Sequence, residues 1–205
     1  MLQTAVEKAQ NHLALARKAL DGLRIARTFR EYEVAWSQFL IQAARTYAKL
    51  EAGSKNSGVS KSWFGRMKHE RHTDPLLRYI RYARNSDEHG LEDITRRAAS
   101  GMVANFEPSD VVRLSLSARR DEDGSIEIKD LQLKTPGGGF TEVELIAPRI
   151  ELMAVSNPRS HDSAAPPVNH LGRPIEDTSP LGVAELAISF LERMIAEATQ
   201  LSERT

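Results

Sequence analysis

Between Ile25 and Leu50, apolar side chains recur at steps of three and four: Ile25, Phe29, Tyr32, Trp36, Phe39, Ala43, Tyr47 and Leu50. That spacing draws one stripe down one side of an α-helix, and a stripe this long and this rich in rings has to be buried against other helices. A helical bundle is therefore the first constraint on the fold. Leu2, Val6, Ala9, Leu13, Ala16 and Leu20 make an earlier stripe of the same kind, with Asp21-Gly22 offering a turn between the two. Near the other end, Ser179-Pro180 opens a last helix whose stripe is Val183, Leu186, Phe190, Met194, Ala198 and Leu201. The expected helices cover about 2–20, 22–50 and 180–202.

Residues 51–60, EAGSKNSGVS, lose the periodicity and read as a loop or linker. Lys61, Trp63, Phe64, Arg66, Lys68, His69, Arg71 and His72 follow, on a short helix expected over 61–71. Cations interleaved with rings suit a single-stranded nucleic acid, the cations holding phosphates and the rings stacking on bases. The same rings suit anchorage of a short helix to the core. The next helix is expected over 74–90, with Asp74 as N-cap, Pro75 in the first turn and Gly90 as the residue that ends it. Leu76, Leu77, Ile80 and Ala83 give it an apolar face, while Arg78, Arg81 and Arg84 add a cation at each turn.

Charge divides the chain. Lys plus Arg against Asp plus Glu gives 18 − 11 = +7 for residues 1–100 and 10 − 17 = −7 for residues 101–205. A polyanion should meet the first half, although two halves of opposite charge can also dock on each other. There is no cysteine, which excludes disulfides, zinc thiolates and cysteine nucleophiles. The N-terminal residues MLQTAVEKAQNHLALARKAL have polar groups at every turn, unlike a signal peptide or a membrane span. A cytoplasmic location without membrane contact is the expectation.

The residues that carry chemistry cluster at the end of the 74–90 helix, in Arg84-Asn85-Ser86-Asp87-Glu88-His89. A permanent cation, an amide and a titratable imidazole lie within about 7 Å of helix axis. Arg84 and His89 are about 140° apart around that axis, while Asn85 sits one turn before His89 on nearly the same face. Metal-free RNA cleavage needs a base that titrates near neutrality and a group that stabilises a charged phosphorane. His89 supplies the first and the forked guanidinium of Arg84 the second, with Asn85 orienting the imidazole or a phosphate oxygen. A structural reading also exists: Arg84 pairing with Asp87 or Glu88, and His89 complementing the helix dipole.

The second half alternates. Val112, Leu114, Leu116 and Ala118, then Ile126, Ile128, Leu131 and Leu133, then Phe140, Val143, Leu145 and the run from Ile150 to Val155 predict an antiparallel meander over about 110–155. Asp121-Glu122-Asp123-Gly124 and Pro136-Gly137-Gly138-Gly139 are its expected turns. The glycine run lacks the Lys-Ser/Thr of a phosphate loop, the acidic run lacks calcium-ligand spacing, and His69-Glu70-Arg71-His72 lacks zinc-protease spacing. No metal and no cofactor are therefore assigned. Five prolines between 156 and 180 predict an extended loop in which His161 and His170 are read as inert.

The fold class is thus α+β: a bundle over 1–105, a β-meander over 106–156, a Pro-rich loop over 157–179, and a helix over 180–205 that packs back on the bundle. A basic helix with Arg84-x4-His89, and Asn85 after the arginine, resembles the HEPN superfamily, whose helical bundles carry an Arg-x4-6-His motif. The resemblance covers residues 1–100 and the last helix, and the meander lies outside it. It implies a metal-independent endoribonuclease, related to toxins or defence proteins, whose site forms between two copies; a homodimer would supply the second His89. Arg84, Asn85 and His89 are then catalytic, and Arg81, Arg78, Lys68, Arg71 and Trp63 bind RNA. Two other readings stay open: a non-catalytic module that binds an antitoxin, another protein or nucleic acid, and a small-ligand-binding protein with its pocket between sheet and bundle.

Overall fold

The computed structural model describes residues 1–89, 94–98, 101–104, 113–120, 126–134, 143–146, 149–156 and 162–203. Five helices dominate: α1 (Gln3–Ile25), α2 (Phe29–Ser54), α3 (Gly58–Thr73), α4 (Pro75–His89) and α5 (Pro180–Glu203). Between α4 and α5 the described residues form ten short strands: β1 (Thr95–Arg97), β2 (Gly101–Ala104), β3 (Arg113–Arg120), β4 (Ile126–Lys134), β5 (Val143–Ile146), β6 (Ile150–Leu152), β7 (Val155–Ser156), β8 (Ser163–Ala164), β9 (Asn169–His170) and β10 (Arg173–Pro174). The class is α+β, a helical bundle with small two-stranded ladders. The chain forms two compact units, one of Met1–Arg96 with Ile150–Thr205 and one of Arg97–Arg149.

In the first unit, α1 buries Val6, Ala9, Leu13, Ala16, Leu20 and Leu23 against α2, and α5 packs on the other four helices. Trp36, Phe39, Leu40, Leu50, Leu76, Tyr79 and Met194 are almost inaccessible at the centre. The α1–α2 turn differs from expectation. Asp21-Gly22 does not break the helix; α1 runs on to Ile25, which is 76% exposed, and Leu23 takes the core position. The break comes at Thr28, whose hydroxyl accepts from the Glu31 N–H at 3.1 Å while the Glu31 carboxylate accepts from the Thr28 N–H at 3.2 Å. This reciprocal capping box fixes the entry of α2.

The linker expected over 51–60 is also mostly helical. It shrinks to the three residues between Ser54 and Gly58, because Ser57 caps α3 by accepting from the Ser60 N–H at 3.2 Å. Gly53 matters on α2: a Cβ there would collide with Ala5, so its absence lets α1 and α2 approach closely.

The run from Ile150 to Val155 belongs to the helical unit rather than to a meander. β6 pairs with β1, β7 with β8, and β7, β8 and β9 lie against α4. Three side chains of α4 fix this segment: Tyr79 donates to the Met153 carbonyl at 2.7 Å, Ser86 to the Ser156 carbonyl at 2.9 Å, and Tyr82 to Asp162 at 3.4 Å. Burial raises the Tyr79 phenol well above its ordinary range, as befits a hydroxyl committed to donating.

In the second unit, β3 and β4 pair antiparallel from Arg113↔Lys134 to Arg120↔Ile126, with a register shift between Ser117 and Ala118. β5 pairs with β2, from Gly101↔Ile146 to Ala104↔Val143, so that in chain order one ladder nests inside the other. A meander would have paired β4 with β5. β2 was hidden from the sequence because four residues, GMVA, are too few to show an alternation. The turns expected at 121–124 and 136–139 lie outside the described residues.

Candidate functional site

The α3–α4 hairpin turns on Asp74, which is buried. Its N–H donates to the Glu70 carbonyl at 2.8 Å, closing α3, and its carboxylate accepts from the Leu77 N–H at 2.9 Å, opening α4. The same carboxylate takes the Leu171 N–H at 2.6 Å and lies 3.0 Å from His170 Nδ1. His170 is therefore no inert loop histidine: only 11% of its side chain is exposed, and its ring stands edge-on to Phe190. Leu171 and Gly172, at φ +48° and +77°, form the two-residue turn between β9 and β10. Leucine adopts that region at a cost of order 1–2 kcal/mol, and the bond to Asp74 holds it there.

On this hairpin the sequence-predicted residues fall into three groups. Lys68 and Arg78 are exposed, as an electrostatic contact surface requires. Trp63 is not available for stacking: it is 3% exposed, its ring tilts against Phe64, and its indole N–H donates to Glu197 at 2.7 Å. Trp63, Phe64 and Met67 face the core while Lys61, Arg66 and Lys68 face out, so the interleaving is that of an amphipathic helix.

Arg71 and Arg81 turn inward. The Arg71 guanidinium lies 3.9 Å from the centre of the Tyr47 ring, and burial draws it below the ordinary arginine value. Arg81 places Nη1 at 3.1 Å from both ring nitrogens of His72. The His72 imidazole is held below its ordinary range, first by the water it loses and then by Arg81, Lys68, Arg71 and His69. A neutral imidazole can accept from Arg81; an imidazolium could not. Arg81 Nε is buried with no hydrogen-bond partner among the described residues, at a cost on the order of 1–3 kcal/mol, while the Tyr47 hydroxyl meets the Arg71 side chain.

Arg84 and Asn85 are half-buried and meet: Arg84 Nη1 donates to Asn85 Oδ1 at 3.3 Å. Asp87 accepts from Ser37 of α2 at 2.5 Å, and Ser86 bonds the Ser156 carbonyl, so the last turns of α4 are tied down on two sides. α4 continues without interruption to His89. The His89 side chain lies outside the described residues, as does His161.

Elsewhere, a groove of about 930 Å³ runs along α1 and α2, lined by Leu15, Ile25 and Val34 and rimmed by Lys18, Arg27 and Arg30; it holds none of the candidate site residues. Among the described residues no three His, Asp or Glu side chains gather in a manner that could hold a metal ion, and no helix is long and apolar enough to cross a membrane. Comparison of the chain with family models, with curated proteins and with solved structures finds no match in any of the three.

Proposed function

We propose that this chain is a HEPN-like module that binds RNA along the α3–α4 hairpin and cleaves it without a metal through Arg84, Asn85 and His89. The observation that carries the reading is the Arg84–Asn85 hydrogen bond on a basic helix that runs on to a histidine. Asn85 orients the guanidinium, whose planar fork grips the phosphodiester. His89 removes the proton from a 2′-hydroxyl, whose oxygen attacks the adjacent phosphorus. Arg84 stabilises the added negative charge, and the 5′-oxygen of the next nucleotide leaves with a proton. The products are a 2′,3′-cyclic phosphate and a 5′-hydroxyl. A single histidine is poorly placed to be base and acid in one turnover, so His89 of a second copy donates that proton, and the active form is a homodimer. Lys68 and Arg78 hold the RNA backbone electrostatically, with Arg71 and Arg81 deeper on the same hairpin.

The test is cleavage of a mixed-sequence RNA in excess chelator, with analysis of the product ends. Wild type is expected to leave 2′,3′-cyclic phosphates, and His89→Ala and Arg84→Ala to cut at least about 100-fold more slowly. Equal cutting by wild type and both variants assigns the activity to a contaminant. Folded protein that binds RNA but leaves it intact at high concentration sinks the catalytic part and leaves the binding module.

A further inference from the structure

The hairpin contains a feature that the cleavage chemistry leaves unused. Arg71 of α3 and Arg81 of α4 both lie beside Tyr47 of α2, close enough that each guanidinium acts electrostatically on the phenol and on the other guanidinium. Neither makes an ion pair with a carboxylate among the described residues, while Arg17, Arg24, Arg96 and Arg193 all do. Glu51 is near enough to be felt by Arg71 but lies beyond ion-pair distance. His72 stands at the outer edge, exposed, and Lys68 one turn earlier is exposed as well. Two like charges brought together around a buried donor that has no partner among the described residues, Arg81 Nε, with the Tyr47 hydroxyl beside Arg71, form an incomplete arrangement. What completes it is an anion with several acceptor oxygens.

We infer that Tyr47, Arg71, His72 and Arg81 form a binding site for a phosphate monoester. A dianion matches the two arginines in charge, and its three terminal oxygens outnumber the two that a diester or a carboxylate can offer. His72 is exposed, and Arg71 and Arg81 are only partly covered as residues, so the cluster is reached from solvent on the His72 side. The Arg71 contact on the Tyr47 ring holds one fork in place before the ligand arrives, and His72 does the same for Arg81. The inference rests on the hairpin being the RNA-facing surface, as proposed above, but not on cleavage. The phosphate can come from the 5′ end of an RNA or from a free mononucleotide or inorganic phosphate. An RNA end here would set the distance from the terminus to Arg84, one helical turn beyond Arg81.

Titration calorimetry on the full chain tests this, with His89→Ala present so that RNA survives the measurement. The probes are inorganic phosphate, a nucleoside 5′-monophosphate, and one oligoribonucleotide with either a 5′-phosphate or a 5′-hydroxyl. The 5′-phosphorylated RNA should bind at least about tenfold tighter than its 5′-hydroxyl form. Arg81→Gln should abolish that difference, and Tyr47→Phe, which keeps the ring and the fold, should reduce it severalfold. Arg78→Gln, at an exposed position on the same helix, should weaken both RNAs alike. Binding of phosphate and mononucleotide without preference between the two RNAs, but lost in Arg81→Gln, keeps the site and assigns it to a free ligand. If no probe containing a phosphate monoester binds, or if Arg81→Gln and Tyr47→Phe bind like the parent, the site does not exist. Binding is read independently of cutting, so failure here leaves the ribonuclease test intact, and the reverse.

Discussion

Asp74 shows how much one side chain can hold together. Its cap role was legible, because Asp-Pro before an apolar run marks the start of a helix. Its second role was not: His170 and Leu171 lie nearly a hundred positions away, and nothing local in Asn169-His170-Leu171-Gly172 announces a partner. Asp74→Ala removes the acceptor of two backbone N–H groups and the neighbour of a nearly buried imidazole. A loss of about 3 kcal/mol in urea unfolding is expected, from a lost cap together with buried donors left unsatisfied. Asp74→Asn keeps one acceptor oxygen and should lose distinctly less. Equal and small losses in both would mean that β9 and β10 rearrange to find other partners. Trp63 teaches the converse lesson. Flanking cations make its ring suit base stacking as well as anchorage to the core, and Trp63, Phe64 and Met67 at steps of one and three form the buried stripe of the second reading. Among the candidate residues, the sequence supplied Arg84, Asn85, Arg71, His72 and Arg81 but not Tyr47, a core position of α2 that meets Arg71 only through packing.

At the scale of elements, the helices were legible and their junctions were not, α2 starting at Phe29 rather than near residue 22. Periodicity accumulates over many turns, whereas a junction is decided by one or two hydrogen bonds. Asp21-Gly22 looked like the better break, yet Gly22 is tolerated inside α1 while Thr28 and Glu31 form a capping box. Thr28→Ala should cost about 1 kcal/mol, measured by thermal or urea unfolding at neutral pH. The box also predicts a pH dependence. The Arg27 N–H and then the Thr28 N–H hold the Glu31 carboxylate below its ordinary pKa. A carboxylate whose folded pKa is depressed stabilises the fold above its unfolded value, roughly 4.3, and loses that contribution as pH falls through the folded value. The unfolding midpoint of wild type should therefore decline more steeply below about pH 4.5 than that of Glu31→Gln, the two curves converging in acid. Parallel curves would show that the Glu31 contacts contribute nothing in solution.

At the scale of the whole molecule, the sequence showed that a β-rich segment interrupts a helical bundle, because alternation replaces the helical period after about residue 110. It misplaced the return point. Residues 150–156 look like more of the same strand pattern, but Leu152 and Val155 are buried in the helical unit, where Tyr79 and Ser86 bind their backbone neighbours. Which sheet a short strand joins depends on non-local pairing, which a local pattern does not encode. The boundary makes a prediction, because the two ends of the Arg97–Arg149 unit come together: the Ala98 N–H donates to the Arg149 carbonyl at 2.7 Å. A tight glycine-rich turn can span that gap without moving either strand. Replacing residues 99–148 by such a turn should leave the helical unit folding cooperatively, with an unfolding midpoint within about 5 °C of the parent's, since β1, β6 and the α4 contacts all remain. Loss of cooperative unfolding would show that the helical core needs the inserted unit to form. RNA cleavage adds a second readout on the same variant. A shortened chain that still folds and still cuts confines the chemistry to the helical unit, as the proposed roles of Arg84 and His89 require. One that folds but no longer cuts assigns part of the catalytic or RNA-holding surface to the inserted unit, and the search for the missing acid would move there.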